Sequence, residues 1–212
     1  MKNNKHWPPC RDFLPLFILT LNGCFTLYAQ EPPASKLPLV ISVFNVGTQL
    51  PGSGVAGIFT RPIHPGISAG TEFRYNKGLK NQWFQAVRLG VLYHRFAQTA
   101  VQLYTETGYR RSIWRGTAAE LRLGGGYLHS FPGVEIFRLK DGRYVQKNNF
   151  GRPQVMAGGT FGLSYTLSGP NPPRFFLDYQ FYLQMPFVKS YVPLLPNTAL
   201  QIGGAFPFFK KR

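Results

Sequence analysis

Apolar and polar residues alternate along the segment RFFLDYQFYLQMPF, residues 174–187. Every second residue from Phe175 to Phe187 is apolar, whereas the intervening positions include Arg174 and Asp178 and are mostly polar. The side chains of a β-strand point alternately to its two faces, so a period of two indicates a strand. The segment is therefore predicted to be a β-strand with one apolar face and one polar face.

The same alternation recurs through the rest of the chain. Six further segments repeat it, and LPLVISVFNV is apolar and rich in β-branched residues, although its alternation is weak. No helical period competes with these segments. An even set of strands of about ten residues, each with one apolar face, is typical of a transmembrane β-barrel. The predicted strands are 37–46, 66–76, 82–94, 99–110, 117–129, 154–168, 174–187 and 198–208.

The lengths of the links between these strands favour one orientation of the barrel. If the first strand runs away from the periplasm, the periplasmic links 76–80, 111–116 and 169–173 are all short. The longest links, 47–65 and 130–153, both fall at the opposite end. Outer-membrane barrels have short periplasmic turns and longer outer loops. The prediction is an all-β, antiparallel, up-and-down transmembrane barrel of eight strands.

The composition narrows the class of protein. Aromatic residues make up 16% of the 212 residues and charged residues 15%, and the formal net charge is +16. Such a basic chain could bind nucleic acid or anionic lipid, or could simply carry basic loops. The aromatic and glycine bias, with no zinc-ligand spacing and no recognition-helix pattern, argues against nucleic acid. We expect neither a metal nor a cofactor.

Residues 1–30 have the organisation of an export signal. A basic region that ends at Arg11 precedes the apolar run FLPLFILTLNGCFTLYA. The run is short and is interrupted by proline, asparagine and glycine, so it is a poor membrane span. We expect a signal peptide that is cleaved near Ala29 or Gln30; an N-terminal membrane anchor is the alternative.

Both cysteines, Cys10 and Cys24, lie in this signal. The mature chain would then have no disulfide, no cysteine nucleophile and no thiolate metal site. Because LNGC is similar to the end of a lipoprotein signal, lipidation of Cys24 is left open. The rest of the chain is expected to comprise an N-terminal segment at 31–36, the barrel at 37–209 and a basic tail at 210–212.

The acidic residues of the predicted strands lie on the polar faces. A soluble lipocalin-like barrel or β-sandwich would turn these faces to water, where Lys and Glu are usually scattered. Here acids are few, and with the arginines they come out close to one height above the periplasmic turns. We therefore predict a paired belt of charge inside a membrane barrel, with Glu106 between Arg88 and Arg122. The predicted belt consists of Glu72, Arg74, Arg88, Glu106, Glu120, Arg122 and Asp178.

The chain resembles the small eight-stranded, OmpA-like outer-membrane proteins of Gram-negative bacteria in three features. These are the signal ending LYAQ, the alternating strands and the last strand LQIGGAFPFF. The aromatic last strand is similar to the signal read by the barrel-assembly machinery, although KKR follows it here. The resemblance covers about residues 37–209. It implies an outer-membrane location, outer-membrane lipid around the barrel and insertion by that machinery. Side chains just fill the interior of an eight-stranded barrel, so we expect no open pore.

A few residues could carry chemistry on such a barrel. Lipid A deacylases of this architecture use a His-x-Ser pair with a Glu on one face, which invites comparison with His129, Ser130 and Glu135. The histidine and serine are adjacent here, so a strand would point them to opposite faces. His94 is expected inside the outer mouth as a hydrogen-bonded plug residue, and His64 is expected to be a turn residue.

The long link at 131–153 is basic and contains Asp141-Gly142, a hairpin signal between two short predicted strands. On the outer side it would lie beside lipopolysaccharide phosphates or approach another anionic partner. A solvated loop that merely tolerates that surface is the alternative. The predicted surface-loop basic patch is Arg138, Lys140, Arg143, Lys147 and Arg152.

Taken with the filled interior, these features predict a structural or surface-interaction protein of the outer membrane and not an enzyme. Two alternatives stay open. One is a lipid-modifying outer-membrane hydrolase, and the other is an accessory subunit of a larger envelope complex.

Overall fold

The computed structural model describes residues 37–50, 63–94, 98–133, 137–140, 143–146, 150–187 and 193–207. All of them belong to the compact unit Ser35–Arg212, and for 137–140 and 143–146 the description covers the backbone. The predicted signal peptide 1–30, the segment 31–36 and the tail 210–212 lie outside the described residues. In the described part of the chain, no helix is long and apolar enough to cross a membrane.

Eight strands form a closed antiparallel barrel, and two short strands pair as a hairpin between the fifth and sixth barrel strands. Each barrel strand pairs with the next along the chain, and the last pairs with the first. The predicted all-β, up-and-down barrel is therefore confirmed, including its weakly alternating first strand. The strands are β1 (Pro38–Gly47), β2 (Pro65–Arg74), β3 (Asn81–His94), β4 (Gln98–Trp114), β5 (Thr117–Pro132), β6 (Phe137–Lys140), β7 (Arg143–Gln146), β8 (Arg152–Thr166), β9 (Arg174–Met185) and β10 (Leu195–Pro207).

Several strands extend beyond the predicted bounds, most clearly at the β4–β5 turn. The predicted link at 111–116 is mostly strand, and the turn itself is the pair Arg115–Gly116. Both residues have positive φ, 33° and 86°, as a type I′ hairpin turn requires. Alternation misses this extension because a register shift between Ser112 and Trp114 interrupts the period of two.

The faces of the barrel are reversed relative to those of a soluble barrel. Leu103 is 51% exposed whereas Tyr104, the next residue of β4, is 2% exposed and lies inside. Every barrel strand exposes large apolar side chains, which is the exterior of a transmembrane barrel. One such residue from each strand, in chain order, is Ile41, Ile67, Leu89, Leu103, Leu123, Phe161, Leu177 and Ile202.

Exposed aromatic residues collect towards the ends of the strands. We call the end of the barrel that carries the short β2–β3, β4–β5 and β8–β9 turns the turn end, and the opposite end the loop end. Trp83 and Tyr109 have ring centroids 5.0 Å apart near the turn end. Tyr93 and Tyr127 are exposed near the loop end. Tryptophan and tyrosine favour the boundary between hydrocarbon and water, so these residues mark the two interfaces of the barrel.

Glycines on the inward face make room for large interior side chains. A Cβ atom on Gly162 would overlap Oδ1 of Asp178, and a Cβ atom on Gly108 would lie 2.8 Å from Cγ of Arg122. Because the interior of an eight-stranded barrel is narrow, small residues on neighbouring strands leave space for large charged side chains. The glycines therefore position the charged groups described next.

Candidate functional site

Four arginines and four carboxylates form one connected ion-pair network among the described residues. All eight side chains are buried inside the barrel. Their formal charges cancel, which satisfies the requirement that charges removed from water be paired. The members are Arg88, Arg110, Arg122 and Arg174 with Glu72, Glu106, Glu120 and Asp178.

The strongest part of the network joins two arginines to two glutamates. Arg110 donates to Glu72 at 2.8 Å and to Glu120 at 2.7 Å. Arg174 donates to the same two glutamates at 2.6 Å each. Since β1 and β10 lie between β9 and β2 in the barrel wall, the bond from Arg174 to Glu72 crosses the lumen. These four side chains therefore lie across the lumen near the turn end.

Arg122 extends the network towards the middle of the barrel. It donates to Asp178 on β9 and lies 3.6 Å from a carboxylate oxygen of both Glu106 and Glu120. Glu106 also accepts a hydrogen bond of 2.6 Å from the hydroxyl of Thr160. Each carboxylate here therefore has an arginine within ion-pair distance.

Glu106 was expected between Arg88 and Arg122, and only one of these two contacts forms. Arg122 is its partner, but Arg88 pairs with Glu72 at 3.8 Å and donates to Gln201 at 3.4 Å. The register alone does not separate the two glutamates, because both stand opposite the residue two positions before Arg88. Directly opposite Arg88 is a tyrosine on β4 but a glycine on β2, which leaves room for the arginine on the side of Glu72.

Arg74 does not belong to the buried network. It is the last residue of β2 and its side chain is exposed, since it lies two residues beyond Glu72 towards the turn. Arg110 and Arg174 occupy the interior instead; neither belonged to the predicted belt, although alternation puts both on polar faces. The belt is also not a single ring, because Glu120 and Arg122 are two residues, or about 6–7 Å, apart along β5.

A second polar cluster fills the lumen near the loop end, and sequence reasoning missed it. Gln184 donates to Gln154 at 2.7 Å and accepts from Gln98 at 3.0 Å. Asn197 donates to the same Gln184 oxygen at 3.3 Å. All four side chains are buried. Alternation placed Gln184 on a polar face, but neutral amides gave no signal that four strands would bring them together.

Two histidines meet at the loop end. The ring centroids of His64 and His94 are 3.5 Å apart, and His64 is buried. The backbone N–H of His64 donates to the side chain of Asn45 at 2.7 Å, which fixes the residue beside β1. Burial lowers the pKa of His64 below its usual range. His64 is therefore packed against the interior of the mouth and is not the simple turn residue expected.

His129 and Ser130 lie on opposite faces of β5, as alternation predicted. Nδ1 of His129 is 2.7 Å from the hydroxyl of Tyr127, and Nε2 is 3.0 Å from the carbonyl oxygen of Phe150. Ser130 is buried inside the barrel. Within the described ranges every carboxylate is interior, and Glu135 lies outside those ranges. No catalytic grouping on one face is formed by these residues.

The basic loop contains the predicted hairpin. Its strands β6 and β7 pair antiparallel with Lys140 opposite Arg143, and Arg138 lies on β6. Lys147 falls outside the described residues. Arg152 is not a loop residue as expected: β8 begins there and pairs it with Ser130, because the barrel wall extends further at this end. In the described part of the chain, no three His, Cys, Asp or Glu side chains are grouped to hold a metal ion.

The barrel is similar to several solved structures. The crystal structure of Neisserial surface protein A (NspA) matches with a TM-score of 0.56 and 14% identity, over 84% of this chain and 100% of that chain. The outer membrane enzyme PagL matches at 0.46 and 9%, over 81% and 99% of the two chains. Ail, the attachment invasion locus protein of Yersinia pestis, matches at 0.43 and 12%, over 80% and 96%.

No family model matches the sequence, and no curated protein matches it. At identities this low, a structural likeness shows the fold alone. The chain has the closed eight-stranded fold of the small outer-membrane β-barrels.

Proposed function

We propose that this chain is an outer-membrane β-barrel without an open pore that has a structural or surface-interaction role. The observation that carries the proposal is the ion-pair network across the lumen, in which Arg174 joins Glu72 and Glu120. An ion entering from the turn end would have to displace paired charges before it reached the middle of the barrel. The apolar exterior supports a membrane location.

The loop end supports the same proposal. The amide cluster around Gln184 lies across the lumen there, so polar groups that could hydrate a passing ion are already bonded to one another. Tyr104, Tyr182 and Leu128 are also buried inside the wall. An eight-stranded barrel leaves little room beyond such side chains.

The surface-interaction part of the proposal rests on the basic loop at 131–153. Its hairpin stands at the loop end, which the link lengths assign to the outer side. Arginine and lysine side chains bind phosphate groups through charge-assisted hydrogen bonds. We therefore assign lipopolysaccharide phosphates as the partner of this loop, with outer-membrane lipid around the wall and the barrel-assembly machinery acting during insertion.

The positions of His129 and Ser130 weigh against a lipid-modifying hydrolase. Acyl transfer by a serine needs a base within hydrogen-bond reach of the nucleophile. Here the ring nitrogens of His129 face Tyr127 and the carbonyl of Phe150, and Ser130 points into the lumen. The neighbours of His129 suit an interfacial residue that anchors the wall in the membrane.

A photocrosslinking amino acid at Tyr144, on β7, tests the proposed partner in intact cells. We expect a crosslinked product that contains lipopolysaccharide. Replacing Arg138, Lys140, Arg143 and Lys147 by Gln should lower its yield. The matched control removes four cations from the turn end, with Lys77, Lys80 and Arg111 changed to Gln and Arg115 to Asn, and should leave the yield unchanged.

Two results of this experiment would contradict the proposed partner. A single crosslinked protein in place of lipopolysaccharide would indicate an accessory subunit of an envelope complex. A yield that falls equally in the loop variant and in the turn-end control would show that the labelling follows net charge and not the loop.

A further inference from the structure

Exposed cations collect on one side of the turn end of the barrel. Two successive turns, β2–β3 and β4–β5, carry them together with the adjoining strand ends. Every described carboxylate is buried in the network inside, and of the cations nearby Arg74 lies close enough to interact with Glu72 and Glu120. We call the other four cations the basic turn surface, which consists of Lys77, Lys80, Arg111 and Arg115.

The pairing of β3 with β4 makes these residues one continuous surface. The backbone N–H of Ser112 donates to the carbonyl oxygen of Lys80 at 2.8 Å, and Asn81 stands opposite Arg111. The third turn, at 167–173, has no charged residue. The positive charge at the described turn end is therefore concentrated beside β2 to β5.

Aromatic residues place the basic turn surface at the depth of lipid headgroups. Trp83 contacts Tyr109, and Trp114 is 68% exposed at the end of β4. The guanidinium carbon of Arg115 lies 5.4 Å from the centre of the Trp114 ring. Because exposed tryptophans favour the membrane interface, the cations beside them face the layer that contains lipid phosphates.

The backbone at Arg115 gives an independent reason to assign the charge a role. Its φ of 33° lies in the left-handed region, where Gly, Asn and Asp are the favoured residues of a type I′ turn. An arginine is a poor choice for the turn itself. Strained residues persist where they serve another purpose, and here the guanidinium over the exposed Trp114 ring points to a binding role.

We propose that the basic turn surface binds the phosphate groups of anionic phospholipids in the leaflet that surrounds the turn end. This inference rests on the membrane location in the proposed function and adds a lipid preference on one side of the barrel. Basic residues at a membrane surface attract anionic headgroups, and arginine can hold a phosphate with two hydrogen bonds. The uncharged third turn should show no such preference.

Tryptophan fluorescence can test the proposal selectively. The chain has three tryptophans, so Trp7→Phe in the full chain leaves Trp83 and Trp114, both beside the basic turn surface. This protein is reconstituted into phosphatidylcholine vesicles with rising fractions of brominated phosphatidylglycerol or brominated phosphatidylcholine, whose bromines quench nearby tryptophans. We expect the anionic lipid to be preferred about fivefold at low salt. The preference should fall as salt is added.

Two four-site variants separate local binding from attraction by net charge. Lys77→Gln, Lys80→Gln, Arg111→Gln and Arg115→Asn should abolish the preference, and asparagine suits the turn backbone at 115. The loop-end control, with Arg138, Lys140, Arg143 and Arg152 changed to Gln, loses the same charge and should keep the preference.

The outcomes distinguish this inference from the membrane location on which it rests. Quenching by both lipids with no preference, or a preference that survives in the turn variant or disappears equally in the loop-end control, would overturn the inference alone. No quenching by either lipid would contradict both the inference and the membrane location.

Discussion

Arg122 on β5 donates a hydrogen bond to Asp178 on β9, with β8 between the two strands in the barrel wall. Both side chains are buried, so neither charge can be satisfied by bulk water. Arg122 also lies 3.6 Å from Glu106 and from Glu120. The pair is thus part of a shared network, and the loss of one member should be felt by the others.

Removal of Asp178 should destabilise the barrel through the arginine that it leaves behind. We expect Asp178→Ala to lower the free energy of unfolding by about 3–5 kcal/mol, since it breaks a buried ion pair. The double variant Asp178→Ala with Arg122→Ala should lose less than the sum of the single losses. Urea unfolding in lipid vesicles or detergent measures all three variants.

The neighbouring residue Leu177 is the matched control for this cycle. It faces lipid on the same strand, so Leu177→Ala should add to Arg122→Ala without coupling. Strict additivity of Asp178→Ala and Arg122→Ala would contradict the ion-pair network.

Gly162 should be needed because of the carboxylate that it faces. A Cβ atom there would overlap Oδ1 of Asp178, which the bond to Arg122 holds in place. We expect Gly162→Ala to cost about 1–3 kcal/mol of stability. In Gly159→Ala, the added atom would lie 2.9 Å from the flexible end of Leu123, and the cost should be smaller. Equal unfolding midpoints for the two variants would contradict this account of the interior.

The β4–β5 turn should become more stable when its strained arginine is replaced. Arg115→Asn introduces a residue that tolerates positive φ, and we expect the free energy of unfolding to rise by up to about 1 kcal/mol. Arg111→Asn, on the adjoining strand, removes the same charge without relieving strain and should give no gain. A loss of stability in Arg115→Asn would show that the arginine side chain stabilises the turn more than its backbone strains it.

The orientation of the barrel can be tested with inserted tags in intact cells. A tag at Gly142, in the long basic loop, should be accessible to antibody or protease from outside. Tags at Gly78 and Gly169, in the β2–β3 and β8–β9 turns, should be protected, because short turns face the periplasm. The reverse pattern of accessibility would show that the assigned orientation is wrong.

The alternation of the sequence was sufficient to locate seven of the eight barrel strands. The reason is physical: a thin wall between lipid and a narrow polar lumen requires a period of two on every strand. In β1, where alternation is weak, the apolar and β-branched composition carried the prediction, and Val40 and Phe44 are buried inside the barrel.

The partners inside the lumen could not be read from the sequence in the same way. Arg174 and Glu72 are 102 residues apart, and their contact depends on the stagger of the strands between them. The alternation shows which face of a strand a residue occupies but not how far along the barrel axis its side chain lies. For this reason Arg74 was placed in the belt and Arg110 was left out. The amide cluster around Gln184 was missed for a further reason. Opposite charges suggest which residues will pair, whereas neutral amide side chains give no such indication.

The conductance of the purified protein in a planar lipid bilayer tests the central claim most directly. A barrel whose lumen is crossed by Arg174, Glu72 and Glu120 near the turn end, and by amides near the loop end, should insert without passing a stable current. We predict that no channel current is recorded from a bilayer in which antibody or protease detection confirms that the barrel is present. Large, stable single-channel steps from the unmodified protein would contradict a closed lumen.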